Sequence, residues 1–205
     1  MHRREFMTLI GGAVIEWPLA ARAQQWQLPV VGYLSSRSAG ESERVVSAFR
    51  QGLSESGYIV GQNVAVEYRW AQGHYDRLPA LAAELVSLKV AAILAAGGPP
   101  SALAAKKATA TIPIIFSAAD DPVGLGLVES LNRPGGNITG MSVFNSTLNA
   151  KRLSLLHELV PSAGTIGYLA NPANPSAQFE LKGLLERQRR SAQICKSYTQ
   201  QRLGG

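Results

Sequence analysis

Short apolar runs alternate with longer segments of helical periodicity along most of the chain. The apolar runs are four to eight residues long, about the length of strands buried in a sheet. The longer segments repeat apolar residues at spacings of three and four, which places them on one helical face. The predicted strands are Pro29–Leu34, Asn63–Tyr68, Ala91–Ala96, Ile112–Phe116 and Ile138–Val143, and the predicted helices are Glu41–Ser56, Asp76–Leu88, Ser101–Ala108 and Val123–Leu131.

This alternation of strand and helix predicts an α/β fold, a Rossmann-like doubly wound parallel sheet with helices on both faces. Right-handed crossovers place the strand-to-helix loops along one edge of such a sheet, where ligands bind. The loops expected at that edge are Ser35–Ser38, Gly97–Ser101 and Ser117–Pro122. All three are rich in Ser, Gly, Pro or Asp.

The loop Gly97–Ser101 has the composition of an anion-binding turn. Gly97, Gly98, Pro99 and Pro100 interrupt the strand, and Ser101 is predicted as the N-cap of the following helix. A helix N-terminus presents backbone N–H groups and a partial positive charge, which favour a carboxylate. An ordinary turn between strand and helix remains the alternative from this loop alone.

The pattern restarts after Val143. The segment Leu148–Val160 is an amphipathic helix, and the predicted strand Thr165–Leu169 repeats the sequence character of the first strand. Its exit loop carries Asn171, and the next helix is predicted to begin at Gln178. We therefore expect an N-terminal α/β lobe over residues 24–144 and the start of a second, incomplete lobe over residues 145–186.

The two ends of the chain differ from this body. Residues 1–23 read as a secretory signal peptide, with an apolar run after Arg3-Arg4 and a predicted cleavage between Ala23 and Gln24. The start also resembles a twin-arginine export motif. Residues 187–205 are basic and polar, and we expect this aberrant tail to be disordered.

Charge and cysteine content exclude several classes of protein. The net charge is +6, yet residues 24–186 hold 12 basic and 12 acidic side chains, so the body is neutral. No basic face is therefore expected for nucleic acid. Cys195 is the single cysteine, which excludes an internal disulfide and a cysteine metal cluster.

No catalytic or cofactor motif stands out. The chain has no G-x-S-x-G, P-loop or G-x-G-x-x-G sequence, and we expect no cofactor and no metal. His157 lies on the amphipathic helix, and Asp120-Asp121 has no histidine or glutamate nearby to complete a metal site. A small α/β enzyme is the alternative to a binding protein at this point.

Several runs of residues together carry a resemblance to a known family. The chain resembles the solute-binding proteins of bacterial ABC transporters, of the tryptophan/tyrosine type, over about residues 1–186. The runs are Arg3–Phe6, Ala21–Gln25, Val31–Ser35, Phe49–Leu53, Gly57-Tyr58, Gly61–Val64, Glu67–Ala71, Tyr75–Leu78, Ile114–Phe116, Asp121–Gly124 and Leu131–Gly140.

The resemblance implies a periplasmic binding protein of type I, not an enzyme, whose two lobes close on a small solute such as an amino acid or an aromatic carboxylate. It implies a periplasmic location and a membrane permease as partner. A transcription regulator with the same lobes is excluded by the export signal at the N-terminus. The resemblance also implies a longer second lobe, so we expect a truncated protein with impaired closure. The ligand-binding residues that it implies are Ser35, Ser36, Gly97, Gly98, Ser101, Ser117, Asp120, Pro122 and Asn171.

Overall fold

The computed structural model describes residues 28–118, 121–143, 148–174, 176–177 and 181. Strands and helices alternate through most of this range. The elements are β1 (Val30–Ser35), α1 (Glu43–Glu55), β2 (Ala65–Trp70), α2 (Leu78–Ser87), β3 (Ala92–Ala96), α3 (Pro99–Ala108), β4 (Ile114–Ala118), β5 (Ile138–Ser142) and α4 (Asn149–Leu159), with short 3-10 turns at Gly40–Ser42 and Tyr75–Arg77.

The five strands form one parallel sheet in the order β2-β1-β3-β4-β5. This confirms the predicted fold class, and each of the five strands predicted before residue 144 lies within two residues of the observed one. The strand β1 is an interior strand, next to the edge strand β2, so its apolar run is flanked by a strand on each side. Because every connection is a crossover, the carboxyl ends of all five strands lie at the same edge.

The two faces of the sheet are packed differently. On one face, α2 and α3 cover side chains from β1, β3, β4 and β5, which form the main hydrophobic core. On the other face, α1 packs over β1, where Phe49 and Tyr33 have ring centroids 5.8 Å apart. Helices therefore lie on both faces, as predicted, but the second face is covered chiefly over β1.

The start of α3 corrects the prediction for Ser101. Gly98 is the N-cap, and Pro99 and Pro100 are the first two residues of the helix. Proline is compatible with these positions because their N–H groups have no partner within the helix, and its fixed φ suits the helical turn. Ser101 therefore lies within the first turn, and its N–H donates to the Gly98 carbonyl oxygen at 3.2 Å.

Two further predictions of secondary structure are wrong. The segment Val123–Leu131 forms a series of turns instead of a helix. The Leu127 N–H donates to the Pro122 carbonyl oxygen at 2.8 Å, and Gly126 has a φ of +67°, which a right-handed helix cannot contain. The segment Thr165–Leu169 is not a strand of the described sheet.

Several predictions fall outside the described residues. These are the signal peptide over residues 1–23 with its cleavage site at Ala23 and Gln24, the tail over residues 187–205, and most of the helix predicted from Gln178. None of the helices in the described ranges combines the length and the apolar character needed to cross a membrane.

Candidate functional site

The carboxyl ends of β1 and β3 meet at one point of the sheet edge. Ser35 is opposite Ala96 in the ladder, and both Ser35 and Ser36 are buried. The Ser36 hydroxyl donates to the Gly97 carbonyl oxygen at 2.7 Å, which ties the two exit loops together. The Ser35 Oγ accepts the Arg37 N–H at 3.1 Å. The structure thus brings together three of the predicted site residues.

Gly97 is required by this close approach. Its φ is +80°, and a Cβ at this position would lie 2.7 Å from Ser36 Oγ and 2.8 Å from Ser35 Oγ. Both features exclude a side chain unless the neighbouring loop moves. The glycine therefore allows two polar loops to pack against each other at the sheet edge.

The first turn of α3 has fewer amide donors than a typical anion-binding helix. Pro99 and Pro100 have no N–H, and the Ser101 N–H is already bonded to the Gly98 carbonyl oxygen. Within the described part of the chain, no hydrogen bond is made by the N–H of Gly97 or Gly98. The donors available to an anion here are therefore these two glycine amides before the helix.

The Ser101 hydroxyl is a further donor at this turn. Its Oγ is fully buried and has no hydrogen-bond partner among the described residues. Buried hydroxyls are nearly always satisfied, because burial without a partner costs about 1–3 kcal/mol. Such a group is well suited to complete its hydrogen bond with a bound ligand or a water molecule.

The predicted residues near β4 occupy different environments. Ser117 is exposed at the end of β4, opposite Met141 of β5. Pro122 is fully buried, and its carbonyl oxygen accepts the N–H groups of Leu127 and Val128 in the turn that follows. Asp120 lies outside the described residues.

Asn171 lies in a separate loop after α4. It is exposed, and its Oδ1 accepts the Ala173 N–H at 3.0 Å. Its carbonyl oxygen accepts the Asn174 N–H at 3.0 Å. These local bonds define an Asx turn, and the structure does not join Asn171 to the serine and glycine cluster.

The loop after β2 supports the cluster and was not predicted as part of it. The Ala71 N–H donates to the Ser35 carbonyl oxygen and the Gly73 N–H donates to the Ser36 carbonyl oxygen, both at 2.8 Å. Gln72 between them has a φ of +55°, which is uncommon for a residue with a side chain. The polar sequence Gln72-Gly73 was the available signal for this tight turn.

A second polar contact anchors the loop that leads into α1. Both the N–H and the hydroxyl of Ser38 donate to Glu41 Oε2 at 2.8 Å. These hydrogen bonds to the charged form lower the pKa of the Glu41 carboxyl group. The loop after β1 is thus held at its base by the Gly97 carbonyl and at its far end by Glu41.

Comparison with known proteins places this geometry in a family. A family profile described as "ABC transporter substrate binding protein" matches residues 38–192. A tyrosine-binding protein of Clostridioides difficile (strain R20291) is 36% identical over 142 residues, which cover 69% of this chain and 40% of that protein.

Solved structures extend the likeness to the fold. A conserved domain protein from Vibrio cholerae is 28% identical with a TM-score of 0.75, covering 85% of this chain and 58% of that one. A domain from Streptococcus pneumoniae, solved in complex with L-Trp, is 24% identical with a TM-score of 0.73, covering 84% and 57%. The chain thus spans less than two thirds of the length of each of these three proteins. It belongs to the family of ABC transporter substrate binding proteins.

Proposed function

We propose that the chain is the solute-binding component of an ABC importer and binds a small carboxylate-bearing solute, such as an amino acid or an aromatic carboxylate. The observation that carries this proposal is the buried junction of Ser35, Ser36 and Gly97, with the unpartnered Ser101 hydroxyl on the adjacent helix turn. The name of the tyrosine-binding relative supports an amino acid as the ligand.

In this proposal the N–H groups of Gly97 and Gly98 and the hydroxyl of Ser101 bind the carboxylate. A carboxylate accepts two or three such bonds, and neutral donors at a helix start hold it without a bound cation. We also propose that Ser35, Ser36, Ser117, Asp120 and Pro122 line the solute from the same lobe, and that Asn171 faces it from a second lobe. No observation favours an enzyme, and the family is one of binding proteins.

Isothermal titration of the purified chain with a panel of amino acids and aromatic carboxylates tests the site. We expect binding of at least one aromatic amino acid. Gly97→Ala should weaken that binding at least tenfold, because the added Cβ would push the serine loop away from the helix turn. Ser101→Ala should also weaken solute binding, because it removes the hydroxyl that donates a hydrogen bond to the carboxylate.

Gly52→Ala is the matched control for the glycine variant. Gly52 lies in α1, and a Cβ there has no neighbour within 4 Å, so solute affinity should stay the same. Titrations that show no heat across the whole panel would contradict the proposed ligand class. Equal solute affinity in Gly97→Ala and in the unsubstituted chain would show that the solute does not bind at this edge.

We further propose that the protein is exported to the periplasm, where it meets a membrane permease, after cleavage between Ala23 and Gln24. The sequence of residues 1–23 supports this step. Intact mass spectrometry of the protein from a periplasmic extract should give a mass that begins at Gln24. A full-length mass, or recovery only with the cytoplasmic fraction, would contradict it.

A further inference from the structure

A groove lies between α1 and the edge strand β2, away from the serine and glycine cluster. Its volume is about 730 Å³, within the range of small-ligand sites. The serine and glycine cluster (Ser35, Ser36, Gly97 and Ser101) does not contribute to its lining. Its lining includes Glu43, Ser47 and Arg50 of α1 and Tyr68 and Trp70 of β2.

The strand side of this groove is an aromatic surface. The rings of Tyr68 and Trp70 are stacked, with centroids 5.8 Å apart and an interplanar angle of 4°. The buried Tyr33 supports both from the sheet, at 5.4 Å from Tyr68 and 5.1 Å from Trp70. Both supported rings are only half-buried, so they offer a rigid surface on which another aromatic ring can stack.

Arg50 provides a positively charged group at one end of the groove. Its Nε donates to the Tyr68 hydroxyl at 3.0 Å, and its guanidinium carbon lies 5.5 Å from the Tyr68 ring centroid. These two contacts orient the side chain. Among the described residues no carboxylate forms a salt bridge with Arg50, because both salt bridges found there belong to Arg69. The terminal nitrogens of Arg50 are therefore suited to bind a carboxylate.

Glu43 provides the opposite charge at the other end. It precedes Arg50 by two helical turns, so the two side chains begin about 10 Å apart along α1. Ser47 lies between them on the same helix face. A free amino acid carries its two charges on one carbon and is too short to reach both, whereas an extended chain of three residues spans about this distance.

We propose that this groove binds a short zwitterionic peptide of about three residues that carries an aromatic side chain. The peptide carboxylate pairs with Arg50, its ammonium group lies near Glu43, and its aromatic ring stacks on Tyr68 and Trp70. This site is separate from the proposed solute site and does not depend on it.

Titration of the full chain with Gly-Tyr-Gly tests the proposal. We expect binding that weakens at least tenfold when Arg50→Gln removes the guanidinium, with far-UV circular dichroism confirming that the variant is folded. The unsubstituted chain should bind the same peptide with a C-terminal amide at least tenfold more weakly, because the amide removes the carboxylate that pairs with Arg50. This second test requires no change to the protein. The matched control Arg44→Gln changes an exposed arginine of α1 that does not line the groove, and affinity should stay the same.

The two sites are distinguished by their variants. Gly97→Ala should leave tripeptide affinity within twofold while it weakens binding of the amino acid, and saturating free tyrosine should not displace the tripeptide. Absence of tripeptide binding would overturn the proposal. So would equal affinity for the acid and the amide, or parallel loss of both ligands in Gly97→Ala.

Discussion

The two faces of the sheet are built from neighbouring residues of the same strands but are buried very differently. One row across the sheet, Gly32, Ile93, Ile114 and Ile138, points at α2 and α3, and its isoleucines are no more than 3% exposed. The next row, Tyr33, Leu94, Ile115 and Thr139, points the other way. Its exposure rises from 0% at Tyr33 to 48% at Ile115. We call these the covered face and the open face.

The difference shows what the strand sequences encode. Near-continuous apolar runs such as Ala92–Ala96 are typical of parallel strands buried on both faces. The described helices bury both faces at β1 but leave Met141 of β5 65% exposed. Apolar character along a strand therefore predicts the capacity for double burial, whereas the number of helices above each face decides how much burial occurs.

The covered face is also tied together by polar contacts at its rim. The Lys106 ammonium group at the end of α3 donates to the carbonyl oxygens of Gly126 at 2.6 Å and Leu127 at 3.2 Å. A cation is favourable near a helix C-terminus, and here it also fixes the turns between β4 and β5. The covered face thus combines close packing with a peripheral anchor.

The largest effect that tests this comparison is expected for Leu85→Ala. Leu85 of α2 is fully buried, and a Cβ at Gly32 would lie 3.0 Å from its Cδ1, so the glycine makes room for the leucine. Removing the side chain leaves a cavity that should lower the free energy of unfolding by about 2–5 kcal/mol. Urea denaturation, followed by circular dichroism, measures this loss. The urea midpoint should fall while the dependence of the free energy of unfolding on urea concentration stays the same. A loss below about 1 kcal/mol would contradict close packing on this face.

A smaller effect is expected for the matched change Ile115→Ala on the open face. Because about half of the Ile115 surface stays in contact with solvent, the substitution should lower the free energy of unfolding by less than about 1.5 kcal/mol. Urea denaturation of this variant measures the loss in the free energy of unfolding. If the two variants lose equal stability, the open face is covered in solution and the contrast between the faces is wrong.

The smallest effect concerns Tyr33, the one residue of the open-face row that is fully buried. Burial raises the pKa of its phenol, with the neighbouring Tyr68 adding to this and Arg37 opposing it. A raised pKa in the folded state favours folding below the unfolded pKa of about 10, and this contribution is lost as pH rises through the folded value. In a spectrophotometric titration one tyrosine should ionise later than the others, and Tyr33→Phe should remove that late step. Unchanged titration curves would show that Tyr33 is accessible.

Much of the fold was predictable from periodicity because burial on a sheet requires apolar runs of strand length. The segment Val123–Leu131 was mispredicted because its apolar residues are spaced as in a helix while Gly126 and Pro122 direct the chain into turns. The segment Thr165–Leu169 has the composition of a strand, but composition alone does not specify strand pairing.

The candidate site was predictable only in part. Topology alone predicts that the loops after β1 and β3 meet, and Ser36 and Gly97 are in contact. The burial of Pro122 and the local turn around Asn171 depend on side-chain packing that has no periodic signal. The groove at Arg50 escaped prediction because the sequence pattern does not specify how the side chains of α1 pack against those of β2.

The position of β1 between β2 and β3 has a consequence for the time course of synthesis. Val31 pairs with Ala92, so the strand made first remains without one of its two neighbours until β3 has emerged. At a synthesis rate of about 5–20 residues per second, that interval lasts on the order of several seconds. During this period the apolar run of β1 is exposed to other chains and to any chaperone that binds extended apolar segments.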